Sequence, residues 1–292
     1  QYLSPNLVIP ISSARGCPWS RCTFCNHVRR TLPISQRYSV RPFEAIKREI
    51  EGFLEKGYRH FCFVDEAIPA QRFLRLAELI RSVSSDIRWL CYLRLDTDHS
   101  YDTFHIAQAA GCRKVFFGLE TGSQRLLRLL RKGIPISMAK KVICDASRAG
   151  LAVHLFMMES FPDELPEDFA ATKEFLREVL THVDSFGFSY DIFPFVAELD
   201  TDVYQEPCRF GAKGIKGSRM ADLSWRFRLV SATKRRPICF AKARRAIKGI
   251  VESKLSSRGG LRHLGLSQDS LHLLLLDAQS ENTSSIIAFP EM

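Results

Sequence analysis

The sequence predicts an α/β fold: a partial TIM-like barrel of six β/α units, (β/α)6, followed by a basic, mostly helical C-terminal extension. Short apolar runs alternate with amphipathic segments at helical spacing along the first two-thirds of the 292-residue chain. The apolar runs are nearly continuous, as is typical of parallel strands that are covered on both faces. With 46% hydrophobic residues, the chain can bury a core of this size. We place the barrel at residues 1–196 and the extension at residues 197–292.

Six apolar runs predict the strands of the barrel. They are rich in β-branched and aromatic residues, which favour extended structure. The predicted strands cover residues 7–14, 60–64, 87–95, 114–119, 152–158 and 185–195.

Amphipathic segments between these runs predict the helices. Pro42 opens the first helix and Gly57 ends it. Apolar residues share one face of the first helix and of the second: Phe43, Ile46, Ile50, Phe53 and Leu54, then Phe73, Leu76, Ala77 and Ile80. The remaining helices are predicted at about 101–110, after the N-cap residues Ser123 and Ser137, and at about 166–180.

A Rossmann-like open sheet is the structural alternative to a barrel. Six units are fewer than the eight of a complete TIM barrel. However, no G-x-G-x-x-G follows the first predicted strand, so the dinucleotide-binding version gains no support. We therefore favour the six-unit partial barrel.

Polar residues follow almost every predicted strand at its C-terminal end, where barrels of this kind gather their reacting groups. We expect these side chains to meet at one rim of the barrel. They are Cys17, Cys22 and Cys25 after the first strand, Asp65 and Glu66 after the second, Arg94 and Asp96 after the third, Glu120 and Ser123 after the fourth, and residues 159–164 after the fifth.

The three cysteines after the first strand have the spacing C-x4-C-x2-C. Three thiolates on one short loop suit an iron–sulfur cluster in which one iron has no protein ligand. A Cys3His zinc site is the second interpretation, with His27 as the fourth ligand. The third is that these are buried structural cysteines, since a free cysteine packs as a small hydrophobe.

Cysteine usage and hydropathy bear on the compartment. The nine cysteines are an odd number and no secretory signal precedes them, which favours a reducing compartment over a disulfide framework. No apolar run approaches the roughly 18 residues that a membrane span needs. We expect a cytoplasmic protein with no membrane partner. Because the first residue is Gln1, we also expect an upstream region.

Taken together, these motifs resemble the radical S-adenosylmethionine (SAM) superfamily, and within it the cobalamin-associated branch. The resemblance covers about residues 5–195. It is carried by the cysteine loop, the Asp65-Glu66 strand end, the run Gly118-Leu119-Glu120-Thr121-Gly122-Ser123 and the run Phe161-Pro162-Asp163-Glu164. The commonest family spacing is C-x3-C-x2-C, one residue shorter than the spacing here.

The resemblance implies the cofactors and several residue roles. Cys17, Cys22 and Cys25 would bind three irons of a [4Fe–4S] cluster, and the fourth iron would bind SAM. Reductive cleavage of SAM would then release a 5′-deoxyadenosyl radical, with an external electron donor such as flavodoxin or ferredoxin. The resemblance also implies cobalamin as a further cofactor. Residues implied to contact SAM are Phe24 near the adenine, Asp65 and Glu66 near the methionyl ammonium, and Glu120, Ser123 and Arg94 on the ribose and carboxylate side.

Each implied role has a structural alternative. Phe24 could be a core residue, Asp65 could be a helix N-cap, and Arg94 could pair with Asp96 or Asp98.

The fifth strand end departs from the family pattern Gly-Phe-Pro-Gly-Glu. Ser160 and Asp163 stand where that pattern has its two glycines. If the backbone there needs positive φ or a close approach to the nucleoside, these residues would strain or block it. A diverged member with impaired activity is therefore one alternative.

Positive charge is concentrated in the extension. Residues 209–262 contain 16 Lys or Arg and two acidic residues, so this segment carries +14, whereas the whole chain carries +10. Such a segment could bind RNA through phosphates and stacking, or cover the barrel with its apolar stems. Its apolar anchors include Ile238, Phe240, Ile247 and Ile250.

We therefore predict a radical SAM enzyme, a cobalamin-dependent methyltransferase or related radical transferase, that acts on a small molecule or a peptide. The alternative from another class is a non-catalytic RNA-binding protein with a zinc-stapled loop. Methylthiotransferases need a second cluster, and the absence of a second grouped cysteine set argues against that reaction.

Overall fold

The computed structural model describes residues 6–28, 32–96, 98–184, 187–219, 225–231, 245–251 and 253. The basic segment 209–262 therefore lies only partly within the described residues, and its predicted anchors Ile238 and Phe240 lie outside them. No helix among the described residues is both long and apolar enough to cross a membrane.

Six parallel strands form one sheet in which each strand pairs with its neighbours in chain order. This sequential parallel order is that of a barrel that does not close, and it confirms the predicted fold. The strands are β1 (Val8–Ile11), β2 (His60–Ile68), β3 (Arg88–Leu93), β4 (Cys112–Glu120), β5 (Ala152–Glu159) and β6 (Phe188–Pro194).

Helices connect the strands and cover the outside of the sheet. Proline precedes three of them, because its fixed φ suits the entry to a helix. The helices are α1 (Phe43–Glu55), α2 (Ala70–Val83), α3 (Tyr101–Ala109), α4 (Gln124–Leu129), α5 (Ile136–Arg148), α6 (Pro166–Val179) and α7 (Asp202–Gln205). Between β1 and α1, Ala14–Arg15 and Ser39–Val40 pair as a short antiparallel ribbon.

The main core lies between the sheet and the helices. Trp89 of β3 is fully buried at its centre, where its ring contacts Phe63 of β2 and Phe73 of α2 at centroid distances of 5.6 Å. Its indole N–H donates to the Ala110 carbonyl at 2.9 Å. The buried polar atom of this large side chain is thus satisfied, as a core tryptophan requires.

The opposite face of the sheet lines the interior of the partial barrel. Leu90 and Phe116 are buried there, and Tyr92 and Phe156 pack against them. The rings of Tyr92 and Phe116 stack with centroids 4.8 Å apart. Side chains on neighbouring strands therefore give the interior an aromatic wall.

The extension contains an antiparallel ribbon that the sequence did not predict. Strands β7 (Ala212–Arg219) and β8 (Trp225–Ser231) pair with each other. The expectation of a mostly helical extension missed this ribbon, although Trp225, Phe227 and Leu229 alternate with two arginines at the strand period of two. The helical residues 245–251 follow expectation, and Ile247 and Val251 are buried in the main core. The predicted boundary between barrel and extension, after residue 196, stays a prediction.

We expect Trp89→Ala to destabilise the protein by about 3–5 kcal/mol, because it leaves a large cavity between β3 and α2. Urea denaturation followed by circular dichroism measures this change. Ile106→Ala on α3 is the matched control: Ile106 is 37% exposed, and its truncation should change the free energy of unfolding by about 1 kcal/mol or less. Equal effects of the two substitutions would contradict this assignment of the core.

Candidate functional site

The cysteine loop lies after β1 and is held just before its first cysteine and again between its last two. The Gly16 N–H donates to Glu66 Oε2 at 3.0 Å, just before Cys17. The backbone of Thr23, between the other two cysteines, donates to the Leu130 carbonyl at 3.0 Å and accepts from the Val203 N–H at 3.2 Å. The loop is therefore clamped by segments from β2, α4 and α7.

A glycine is required where this loop begins. Gly16 has φ +83, and a Cβ there would lie 1.9 Å from the Arg37 carbonyl oxygen. Both the positive φ and the close backbone contact exclude other residues. The entry to the cysteine loop is thus determined by local backbone geometry.

The three thiols share one partly buried environment. Cys22 is buried, and Cys17 and Cys25 are half-buried. Burial raises the pKa of the Cys22 thiol, whereas the charges of Lys132 and Arg94 lower it. Burial and the neighbouring Cys22 raise the pKa of Cys25 to about 12.

This donor set fits an iron–sulfur cluster. Nearby positive charge favours the thiolate form that binds iron, and Lys132 and Arg94 supply such charge. Among the described residues, no three His, Cys, Asp or Glu side chains converge as the ligands of a single metal ion do. Cluster cysteines bind separate irons and need no such convergence. His27, which the zinc interpretation needs as a ligand, has Nδ1 3.7 Å from Glu66 Oε1.

Trp19 lies in the four-residue gap between Cys17 and Cys22 and makes contacts that the sequence did not predict. Its indole N–H donates to the Arg131 carbonyl at 2.8 Å. The guanidinium carbons of Arg94 and Arg21 lie 4.7 and 5.2 Å from its ring centroid. A Cβ on Gly133, which has φ +71, would lie 2.1 Å from the ring. In the sequence, a tryptophan within the cysteine loop and the glycine at position 133 were the two features that could have indicated this contact.

A buried ion pair lies beside the cysteine loop. Lys132 Nζ is 2.6 Å from Glu120 Oε1, and both side chains are largely buried. Gly118 leaves the space for this pair, since a Cβ there would lie 2.7 Å from the Glu120 oxygen and 2.8 Å from the Lys132 nitrogen. Burial acts to lower the pKa of Lys132, but Glu120 and Cys22 raise it above its ordinary value. Lys132 was not predicted from the sequence.

Asp65 and Glu66 lie within the last residues of β2, which extends beyond its predicted end, and they face different surroundings. Asp65 is buried, and its carboxylate accepts hydrogen bonds from the Ser13 N–H at 2.9 Å and the Ser13 hydroxyl at 2.8 Å. It ties β2 to the end of β1 and is not a helix N-cap, because α2 is preceded by Pro69. Glu66 holds Gly16 and faces His27.

Arg94 and Ser123 make mainly structural contacts. Arg94 donates to the Lys132 carbonyl at 2.7 Å and to Asp96 Oδ2 at 3.3 Å, as the pairing alternative predicts. Ser123 is the N-cap of α4 and accepts from the Leu126 N–H at 3.2 Å, which confirms the predicted cap. Its hydroxyl also donates to Asp168. The proposed contacts of both side chains with SAM stay predictions.

Phe24 is half-buried and packs against an apolar cluster formed by α4, the turn after β5 and the extension. The Lys132 ammonium lies 5.9 Å from its ring centroid. The cluster consists of Leu126, Leu130, Phe161, Val203 and Phe210. Both interpretations of Phe24, core residue and adenine contact, are compatible with a position at the edge of this cluster.

The two glycine replacements after β5 have different outcomes. Ser160 has φ +62, so this position needs the left-handed conformation, and a serine bears the strain. Asp163 is not among the positive-φ residues and instead pairs with Arg125, with Oδ2 2.9 Å from Nη1. The Glu164 carboxylate accepts from the Ser160 and Phe161 N–H groups and so supports the strained turn.

Glu159 at the end of β5 is a buried acid, and it is the first residue of the rim segment predicted at 159–164. It is 2% exposed, and neither carboxylate oxygen has a hydrogen-bond partner among the described residues. Burial, together with the neighbouring Glu164, raises the pKa of Glu159 to about 8. Burial also raises the pKa of Glu164 to about 7. Both carboxyl groups at this strand end therefore lose their protons at a higher pH than ordinary glutamates do.

A chain of polar side chains crosses the interior of the barrel from β4 to β6. Lys114 Nζ donates to Ser189 Oγ at 2.8 Å, and Ser189 Oγ lies 2.9 Å from His154 Nδ1. His154 Nε2 is 3.5 Å from Asp191 Oδ2, and the Asp191 side chain is 26% exposed. Burial lowers the pKa of Lys114 to about 7. In the sequence, a lysine and a histidine within predicted apolar strands were the features that could have indicated this row of polar side chains.

We expect Glu159→Gln to stabilise the protein at high pH and to have little effect at low pH. Because the folded pKa is about 8, above the ordinary value of 4.5, wild-type stability falls as the pH rises from 4.5 through 8. Urea denaturation should show the variant about 4 kcal/mol more stable at pH ~8.5 and changed by less than ~1 kcal/mol at pH ~5.

Glu78→Gln on the exposed face of α2 is the matched control and should show no such pH dependence. A Glu159→Gln effect that is the same at both pH values would contradict the buried, protonated carboxyl.

Sequence relatives cover the barrel and leave most of their own length unmatched. An uncharacterised methyltransferase of Pyrococcus horikoshii is 27% identical over 175 residues, which are 58% of this chain and 36% of that protein. A tRNA-2-methylthio-N(6)-dimethylallyladenosine synthase of Chlorobium phaeovibrioides is 27% identical over 195 residues, 62% of this chain and 41% of the synthase. The sequence argument against methylthiolation therefore receives no support from the relatives.

Two solved structures share the fold. The cobalamin-dependent SAM radical enzyme OxsB superposes with a TM-score of 0.58 and 17% identity, covering 68% of this chain and 35% of OxsB. The radical SAM methyltransferase TsrM from Kitasatospora setae has a TM-score of 0.58 and 18% identity, covering 74% of this chain and 43% of TsrM. At these identities the likeness is one of fold.

The family model of the radical SAM superfamily matches residues 11–176, which span β1 to α6 and include the whole cysteine loop. Enzymes of this superfamily use a [4Fe–4S] cluster and SAM. This protein belongs to the radical SAM superfamily.

Proposed function

We propose that this protein is a radical SAM transferase whose cluster is bound by Cys17, Cys22 and Cys25. The observation that carries the proposal is the clamped cysteine loop at the C-terminal rim of the barrel, flanked by the charges of Lys132 and Arg94. When bound, the cluster supplies the electron that cleaves a C–S bond of SAM.

The side chains around the loop have distinct tasks in this proposal. Lys132 and Arg94 offset the negative charge of the thiolates. The apolar cluster behind Phe24 excludes water from this side of the site. Glu66 orients the loop through Gly16, and its 24% exposed carboxylate also remains accessible to the ammonium of SAM.

Substrate is assigned to the interior of the barrel. This surface is largely aromatic, with a chain of polar groups that ends at the partly exposed Asp191. Binding sites for small ligands have this composition. The chain of Lys114, Ser189 and His154 behind Asp191 would orient a polar group of the substrate and exchange a proton with it.

The transferase class rests on the relatives, whose names describe methyl and methylthio transfer. Cobalamin is named for OxsB and TsrM, and we include it as a second cofactor on the likeness of fold. Because the chain spans less than half of the curated relatives it matches, the group transferred and its acceptor belong to the proposal.

Anaerobic reconstitution with iron and sulfide tests the cluster. We expect broad absorbance near ~400 nm and, with dithionite and SAM, formation of 5′-deoxyadenosine. Cys22→Ala should lose both, because the cluster loses one of its three protein ligands.

Cys144→Ala is the matched control for this experiment, since Cys144 is a half-buried cysteine on α5 outside the loop. It should retain both signals. Stoichiometric zinc without iron in the wild type would refute the proposal, and so would a Cys22→Ala variant with full absorbance.

A further inference from the structure

A basic pocket opens directly beside the cysteine loop. Its volume is about 470 Å³. Trp19 and Arg21 of the loop form one side, and Arg128 and Arg131 at the end of α4 form the other. Leu127 and Ile134 add apolar surface. Among the described residues that line it, three are arginines and none is acidic.

The positive charge of this pocket is only partly offset by neighbours. Arg131 is half-exposed and lies 3.4 Å from Asp202. Arg128 is exposed, and its Nε donates to the Gln124 carbonyl at 3.3 Å. Arg21 is exposed and lies over the Trp19 ring. Within the described part of the chain, neither Arg21 nor Arg128 has a carboxylate at ion-pair distance.

Trp19 connects the pocket with the thiols. It lies between Cys17 and Cys22 in the sequence, and one of its flanking guanidiniums belongs to Arg94. A partner seated in the pocket would contact Trp19, which lies two residues after Cys17 and three before Cys22 in the loop. Electron transfer between proteins requires that the two redox centres lie close together.

We propose that this pocket, lined by Arg21, Arg128 and Arg131 around Trp19, docks an acidic one-electron-donor protein. The inference rests on the proposed function, because it needs the cluster at Cys17, Cys22 and Cys25. The donor is a reduced flavodoxin or an acidic ferredoxin. One electron leaves the donor's reduced flavin or iron–sulfur centre, which is oxidised, and enters the cluster, which is reduced. No bond forms or breaks in this step.

The test measures the reduction of the reconstituted full chain by reduced flavodoxin in an anaerobic stopped-flow instrument. We expect Arg128→Glu to lower the second-order rate about tenfold at low salt, since opposite charges steer protein association. The wild-type rate should fall as salt is added, and the variant should show a weaker dependence. Arg128 lies in α4, so its substitution leaves the cysteine loop intact. Arg21→Glu should have an effect of the same sign.

Arg81→Glu is the matched control, because Arg81 is an exposed residue at the C-terminal end of α2 and contributes nothing to the pocket. It should leave the flavodoxin rate unchanged. Dithionite, a small reductant that needs no docking surface, should reduce wild type and Arg128→Glu at similar rates.

Four outcomes would overturn the proposal. An Arg128→Glu rate equal to wild type would exclude docking at this pocket, as would an equal loss in Arg81→Glu. Loss of labelled single-stranded RNA binding in Arg128→Glu, with an unchanged flavodoxin rate, would assign the pocket to nucleic acid. Failure to form a dithionite-reducible cluster would instead refute the proposed function itself, and the docking proposal with it.

Discussion

The ion pair between Glu120 and Lys132 is the interaction on which the rim of this barrel depends. Removing one partner of a buried pair leaves an uncompensated charge, at a cost of about 3–5 kcal/mol. The space for the pair exists only because residue 118 is a glycine. The turn that presents Lys132 also provides the carbonyl groups that bind Arg94 and Trp19. One ion pair thus positions the segment against which the cysteine loop rests.

Much of the scaffold could be predicted from the sequence because burial produces local patterns. The strand predicted at 152–158 is observed at Ala152–Glu159, and the cap at Ser123 is in place. The requirement for positive φ at Ser160 followed from a missing glycine. These features depend on residues that are close together in the chain, so a single sequence is sufficient to reveal them.

The contacts around the cysteines could not be predicted in the same way. Trp19 binds a carbonyl group that lies more than a hundred residues away in the chain. Lys132 reaches Glu120 from a turn whose course is set by tertiary packing. Asp65 and Glu66 are adjacent in sequence, yet the strand geometry turns one into the scaffold and the other toward the loop. Successive side chains of a strand point to opposite faces, so adjacent residues have different neighbours. A sequence motif does not show this difference.

The burial of Ile247 and Val251 in the main core changes what counts as the folding unit of this protein. The concentration of basic residues begins near the last barrel strand, yet apolar residues of the basic segment pack into the core of the barrel. A protein that ends at β6 would expose to water the apolar side chains of the main core that pack against these two residues. During synthesis on the ribosome the barrel would likewise lack part of its core until the basic segment has emerged. The extension is therefore a component of the barrel's stability, whatever else its charges bind.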